Sequence, residues 1–443
     1  MSISNPLRDN LKQIVDVESI ITDNRRELYQ IDGFSPQAII SPSFVQEIQD
    51  VLAFAANRKL SVIPAGSGTK LGIGNLPEKV DLVLAMARFN EVLEYEPADL
   101  TVTVQAGIRL ADLQTKLAEN GQFLPFDPPY AERTTVGGIV AANASGPSRL
   151  RYGTARNRVL GMRIVQSNGV IVKSGGKVVK NVAGYDFKKL YIGSLGTLGI
   201  ITELTFSLQP LPETERTLIL TFKEIGPSAK AASEIANSQL LPVFLNLFSN
   251  GVPSTTFSGT ILAIGVDGYP ETVAWQIDQV KSLAKQNGVI SVKVIEDADQ
   301  HDFRTAVRAF PEGRWSSQVI ICKANLRMTD VVNFSNTAIE IIRGLHYSVH
   351  MMGLMGNGVV YITISEFPND ADKLQSIAET ITKLRKHAIS MGGNLIIESA
   401  PIEIKRQIDV WGTAGNSIGL MKQIKAKLDP IGMLNPGRFV EGI

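Results

Sequence analysis

The stretch IPAGSGTKLGIG, residues 63–74, sets Gly66, Gly68, Gly72 and Gly74 behind a short apolar run. Closely spaced glycines let successive backbone N–H groups turn inward around an anion. Ser67 and Thr69 add hydroxyl donors, so the chemistry on offer is phosphate binding. A dinucleotide loop of the doubly wound kind needs a helix directly after the glycines, its N-terminus meeting the pyrophosphate. Here LGIGNLPEK follows, and Gly72, Gly74, Asn75 and Pro77 oppose a helix. The spacing is G-x-G-x-x-x-G, and the Gly-Lys-Ser/Thr of a P-loop is absent. A helix-free nest of amides is the better reading. A second glycine-rich loop, TTVGGIVAANASG at 134–146, pairs with the first. Gly137 and Gly138 permit close backbone approach, while Ala141, Ala142, Ala144, Ser145 and Gly146 clear space for something large and flat. Together the two loops suit a dinucleotide with a bulky ring.

Other reactive residues are sparse. The four histidines are His301, His346, His350 and His387, and none precedes position 301. His346 and His350 are four apart but fall at a strand start, and they form no H-E-x-x-H site. His350 reads as satisfied or solvent-facing, and His301 and His387 read as surface residues. We expect no metal site. Cys322 is the only cysteine, so an internal disulfide and any thiolate or iron–sulfur cluster within the chain are excluded. It sits in an apolar run and reads as core. Arg314 beside Trp315 in EGRWSSQ has the chemistry to clamp a substrate carboxylate and cover a ring face. Lys177 and Lys180 either touch the ring system or are solvated, and the sequence leaves both readings open.

These residues need a scaffold, and the composition permits a large one. The chain has 443 residues, 44% hydrophobic and 20% charged, which suits two or three soluble domains. A net charge of +1 and the absence of a basic patch argue against a nucleic-acid partner. The opening MSISNPLRDNLKQIVDVESI does not read as a secretory leader, and no window is apolar enough for a membrane span. Ile48, Val51, Leu52 and Ala55 recur at helical spacing. LSVIP, VDLVLAM and LTVTVQ read as strands, and IRLADLQTKLAENG as an amphipathic helix presenting Leu110, Leu113 and Leu117. RVLGMRIVQSNGVIVKSGG reads as a hairpin turning at Ser167–Gly169, and Pro210 and Pro212 mark a boundary. Beyond residue 216 the order β-α-β-β-α-β occurs twice, near 216–296 and 317–399, predicting two ferredoxin-like units in tandem. The tail MKQIKAKLDPIGMLNPGRFV predicts a helix and a Pro/Gly-punctuated turn.

Four stretches carry a family resemblance: VIPAGSGTKLGIG, TVGGIVAANASGPSRLRYGTARNRVLG, GGKVVKNVAGYDFKKLYIGSLGTLGIITELTF and LDPIGMLNPGRF. They resemble the FAD-linked oxidases of the p-cresol methylhydroxylase / vanillyl-alcohol oxidase type. Within that family they are most similar to the FAD-binding accessory subunit of bacterial glycolate oxidase (glycolate dehydrogenase). The resemblance implies an α+β chain: a lead-in at 1–35, a two-lobed FAD domain at 36–212, a cap at 213–405 and a return segment at 406–443. It implies that Pro64, Ala65, Gly66, Ser67, Gly68 and Thr69 hold the FAD pyrophosphate. Thr135, Gly137, Gly138, Ala142, Ser145 and Gly146 would line the pyrophosphate and ring, with Tyr152 and Gly153 nearby. Gly196, Gly199, Ile200 and Ile201 would approach the adenosine half. With no early histidine for attachment, noncovalent FAD is expected.

Catalytic relatives carry a His-rich metal-binding turn in the cap, and the matching stretch here, HMMGLMGNGVVYI, has Leu354 and Tyr361 at the histidine positions. This implies a sister FAD-containing subunit that carries the hydroxy-acid chemistry and an iron–sulfur subunit that takes the electrons. A cytoplasmic location is implied, with contact to the inner membrane only through partners. A self-sufficient FAD-dependent alcohol or hydroxy-acid oxidoreductase and a flavin-free scaffold are the alternative readings.

Overall fold

A computed structural model describes residues 6–21, 23–177, 185–313, 316, 318–345 and 347–443. Three short apolar runs form a parallel sheet in the spatial order Ala38–Ile40, Leu82–Ala85, Val62–Ala65. They are buried almost throughout, which is why they read as continuous rather than alternating apolar runs. Helix Val45–Arg58 lays Ile48, Val51, Leu52 and Ala55 against them.

A five-stranded antiparallel sheet follows, ordered Val92–Glu96, Thr101–Gln105, Ile200–Ser207, Val159–Val165, Ile171–Gly175. Val102 and Val104 face its core, as the alternation in LTVTVQ predicts, and helix Leu110–Ala118 adds Leu110, Leu113 and Leu117. The expected hairpin turn is present, with the Gln166 N–H donating to Val170 O at 2.9 Å. The reading of 134–146 as a loop is corrected. Val136–Ala142 is a short helix, capped by Thr135, whose hydroxyl accepts from the Gly138 N–H at 3.2 Å. The Gly137–Gly138 pair lowers helix propensity and so concealed it.

The cap is built on one eight-stranded antiparallel sheet. Its spatial order is Ser291–Ile295, Thr214–Phe222, Thr260–Gly268, Phe244–Phe248, Ser348–Leu354, Val359–Ser365, Val319–Asn325, Asn394–Ser399. Each half has the ferredoxin-like strand order, so the tandem reading holds. The two halves fuse where Phe244–Phe248 pairs with Ser348–Leu354, and two exposed sheet edges are thereby removed. Helices Ile225–Ala236, Pro270–Gln286, Val331–Arg343 and Ala371–Ser390 cover one face, and Cys322 is buried beneath them. The other face carries Ile219, Phe248, Met352, Leu354 and Tyr361, and meets helix Asp297–Ala309 and Tyr152 of the first lobe.

The tail forms helix Ile418–Leu428 and then runs beside the parallel sheet. The Val62 N–H donates to Met433 O at 2.9 Å, and the Asn435 N–H to Val62 O at 3.0 Å. Among the described residues no helix is long and apolar enough to cross a membrane.

Candidate functional site

The first glycine loop leaves the parallel strand Val62–Ala65 and opens into a cleft. The cleft is lined by Pro64, Ala65, Gly66, Ser67, Gly68, Thr69, Thr135, Gly137, Gly138, Ala142, Gly196, Gly199, Ile200 and Ile201. Three segments distant in sequence therefore converge. Gly66 is required by close approach: a Cβ there would sit 2.1 Å from Thr135 Oγ1. Gly68 has φ +79°, a conformation that a side chain disfavours, and its Cβ would meet Leu28 O at 2.4 Å. Thr69 and Thr134 hydroxyls lie 3.3 Å apart across the loop.

Ser145, Gly146, Tyr152 and Gly153 do not line this cleft. Asn143 ends the short helix in the left-handed conformation and redirects the chain toward the cap. Ser145 Oγ accepts from Arg149 at 3.2 Å, and a Cβ on Gly146 would strike Asp127 O. Gly153 ends helix Arg149–Tyr152. Tyr152 hydrogen-bonds Asp267 of the cap and meets Phe123 edge to face at 5.5 Å. Its phenol is pushed up, first by burial and then by Asp267. Of the four, Tyr152 sits at the seam between lobe and cap. Arg314 and Trp315 lie outside the described residues, as do Lys180 and His346. Lys177 is exposed and pairs with Glu94.

The sequence reading missed Lys70, Asn435 and Arg438, which also line the cleft. All three stand inside quoted motifs, and the resemblance places Asn435 and Arg438 on the tail that returns to the FAD domain without giving either a ligand role. The lining fits the diphosphate and ring of FAD. Ser67 Oγ, Arg438 Nε and Arg438 Nη1 are buried without hydrogen-bond partners, an uncommon state that a bound anion relieves. Met86, Leu195, Ile200 and Ile201 supply apolar surface.

Where the cleft meets the cap, the Lys70 ammonium lies 5.9 Å over the Tyr130 ring. Burial lowers its pKa, partly opposed by Glu398. On the facing sheet Lys323 pairs with Glu398 at 3.0 Å and lies 5.4 Å over the Tyr361 ring. Burial lowers Lys323, but Glu398 and Tyr361 outweigh it and hold the ammonium above 10.5. Burial raises Glu398, and Lys323 and Lys70 outweigh that to hold it below 4.5. This wall does not fit the divalent cation that the resemblance associates with the turn. Leu354 offers no donor, Tyr361 is a buried phenol raised mainly by desolvation, and Glu398 is already neutralised.

His350 lies half-buried in strand Ser348–Leu354, opposite Thr363, and burial lowers its pKa. His301 is exposed as expected. His387 is not a free surface residue: it is half-buried and stacks on Phe334 with ring centroids 5.7 Å apart.

A glycine-lined cleft in a two-sheet lobe, beneath a tandem ferredoxin-like cap, defines an FAD-binding fold of the p-cresol methylhydroxylase type. The chain belongs to the FAD-linked oxidases: the FAD binding domain family matches residues 36–175, and the family described as FAD linked oxidases, C-terminal domain, matches 211–439. FAD is thus its cofactor. Among curated relatives, the glycolate oxidase subunit GlcD of Bacillus subtilis is 29% identical over 99% of this chain and 97% of its own. A probable mitochondrial D-lactate dehydrogenase of Danio rerio is 26% identical over 92% of this chain and 84% of its own. Among solved structures, p-cresol methylhydroxylase with substrate bound superposes with a TM-score of 0.78 at 14% identity, covering 98% of this chain and 96% of that one.

Proposed function

We propose that this chain is the FAD-binding subunit of a 2-hydroxy-acid dehydrogenase of the glycolate type. FAD sits in the cleft noncovalently: no histidine, cysteine or tyrosine is among the described residues that line it. The observation that carries the reading is the extent of likeness. Relatives named for glycolate and D-lactate match through the cap as well as the cofactor lobe. Lys70 fits the same reading, because it gives the cap end of the cleft a cationic group suited to an anionic substrate.

Bound FAD supplies a two-electron acceptor for CH–OH oxidation. Of the described titratable groups on the facing sheet, neither Glu398 nor Tyr361 is a free base: Glu398 is held ionised against Lys323, and the Tyr361 phenol is raised. This favours a sister flavoprotein subunit as the seat of the hydroxy-acid chemistry. With one cysteine the chain holds no iron–sulfur cluster, so electrons leave through a partner. The assembly is cytoplasmic, meeting the inner membrane through its partners.

The test is anaerobic addition of glycolate or D-lactate to the purified chain, watching the flavin absorbance. The expected result is no bleaching by the chain alone and bleaching once the sister subunits are present. Bleaching by the isolated chain would instead establish a self-sufficient oxidoreductase.

A further inference from the structure

We propose that Arg438 is a direct ligand of the FAD diphosphate, left short of counter-charge beside Asp32 and Lys405, so that cofactor binding locks the C-terminal segment onto the glycine loop. Three charged residues from remote parts of the chain meet behind the glycine loop. Lys405 Nζ pairs with Asp32 Oδ1 at 2.8 Å and donates to Gly72 O at 2.6 Å. Arg438 Nη2 donates to the carbonyls of Leu71 and Ile73. Three successive loop carbonyls, which would repel a phosphate, are thus drawn onto cations.

The cluster is nearly dry, with side-chain exposures of 1%, 8% and 3% for Lys405, Asp32 and Arg438. It holds two cations and one carboxylate. Arg438 Nη1 stands 3.6 Å from Asp32 Oδ2, too far for a hydrogen bond, and Arg438 Nε and Nη1 have no partner. Burial pulls Lys405 below its ordinary value and Arg438 down to about 10 in spite of Asp32. A buried cation short of a counter-charge is costly, and the diphosphate of FAD brings the missing negative charge. The guanidinium fork is suited to phosphate oxygens. Asn435, three residues earlier, also faces the cleft, and its Nδ2 donates to Leu195 O at 2.7 Å. The tail is therefore part of the cofactor site as well as a strap across it.

The test is FAD titration of the full-length apoprotein, followed by quenching of FAD fluorescence, with thermal midpoints measured in parallel. Arg438→Met is expected to weaken FAD binding on the order of 100-fold, and Arg438→Lys, which keeps the charge without the fork, about tenfold. Asp32→Asn removes the only carboxylate of the cluster. It is expected to lower the apoprotein midpoint, hold FAD as tightly as wild type or tighter, and widen the midpoint gain on adding FAD. An Arg438→Met protein that loses thermal stability but binds FAD within about twofold of wild type would overturn the proposal. If Arg438→Met does not fold, Asp32→Asn decides alone: a loss of FAD affinity there would mean the cluster is only scaffold.

Discussion

Gly66→Val is expected to give a folded, colourless protein. The valine Cβ would lie 2.1 Å from Thr135 Oγ1 and 3.2 Å from Thr135 Cβ, so Thr135 must move. Thr135 caps helix Val136–Ala142, and its displacement both costs cap stability, about 1 kcal/mol, and closes the cleft at the loop. FAD affinity should fall by a factor on the order of 100 or more, read by titration of the apoprotein. The double variant Gly66→Val/Thr135→Gly should recover part of it, since glycine is a tolerable helix cap and leaves room for the new side chain. Equal losses in the single and double variants would show that the contact is not the reason for Gly66.

Lys323→Met is expected to destabilise the cap by about 3–5 kcal/mol, because it leaves the Glu398 carboxylate buried and unpaired. For a unit of this size that is a fall of roughly 10 °C in thermal midpoint. Lys323→Met/Glu398→Gln should lose far less. The pH dependence has a definite sign. Glu398 is depressed below 4.5, so its stabilisation is present above that value and lost as pH falls through its folded pKa. Lys323 is raised above 10.5, so its contribution is present below that value and lost as pH rises through its folded pKa. The gap between wild type and Lys323→Met should therefore be widest toward neutral pH and shrink on acidification, beginning above the ordinary carboxylate range because the unpaired Glu398 of the variant takes up its proton first. A gap unchanged by acidification would contradict a stabilising ion pair.

The backbone of the cofactor lobe was legible because its signals are local. The glycine loop follows a strand, the hairpin turn is three residues long, and alternation in LTVTVQ and helical spacing in 48–55 and 110–117 mark the elements around it, whereas the helix Val136–Ala142 was hidden by its glycine pair. The tandem ferredoxin-like cap was legible as an order of elements, although nothing local announced that two units share one sheet. The charged groups were not legible. Asp32 and Lys405 stand 373 residues apart, and Lys323 and Glu398 stand 75 apart. Each reads alone as a solvated charge, and only the closed fold removes the water. Ser145, Gly146, Tyr152 and Gly153 show the converse. They follow the cleft residues in sequence, but Asn143 ends the helix in the left-handed conformation and the chain beyond it leaves the cleft.

Acid precipitation of the purified holoprotein, with the flavin measured in pellet and supernatant, tests most directly the claim that a cleft of backbone amides, closed by the C-terminal tail, holds FAD without a covalent bond. The account predicts equimolar FAD in the supernatant, a colourless pellet, and apoprotein that takes FAD up again on renaturation. A yellow pellet, or a protein that is isolated without flavin and does not bind added FAD, would contradict it.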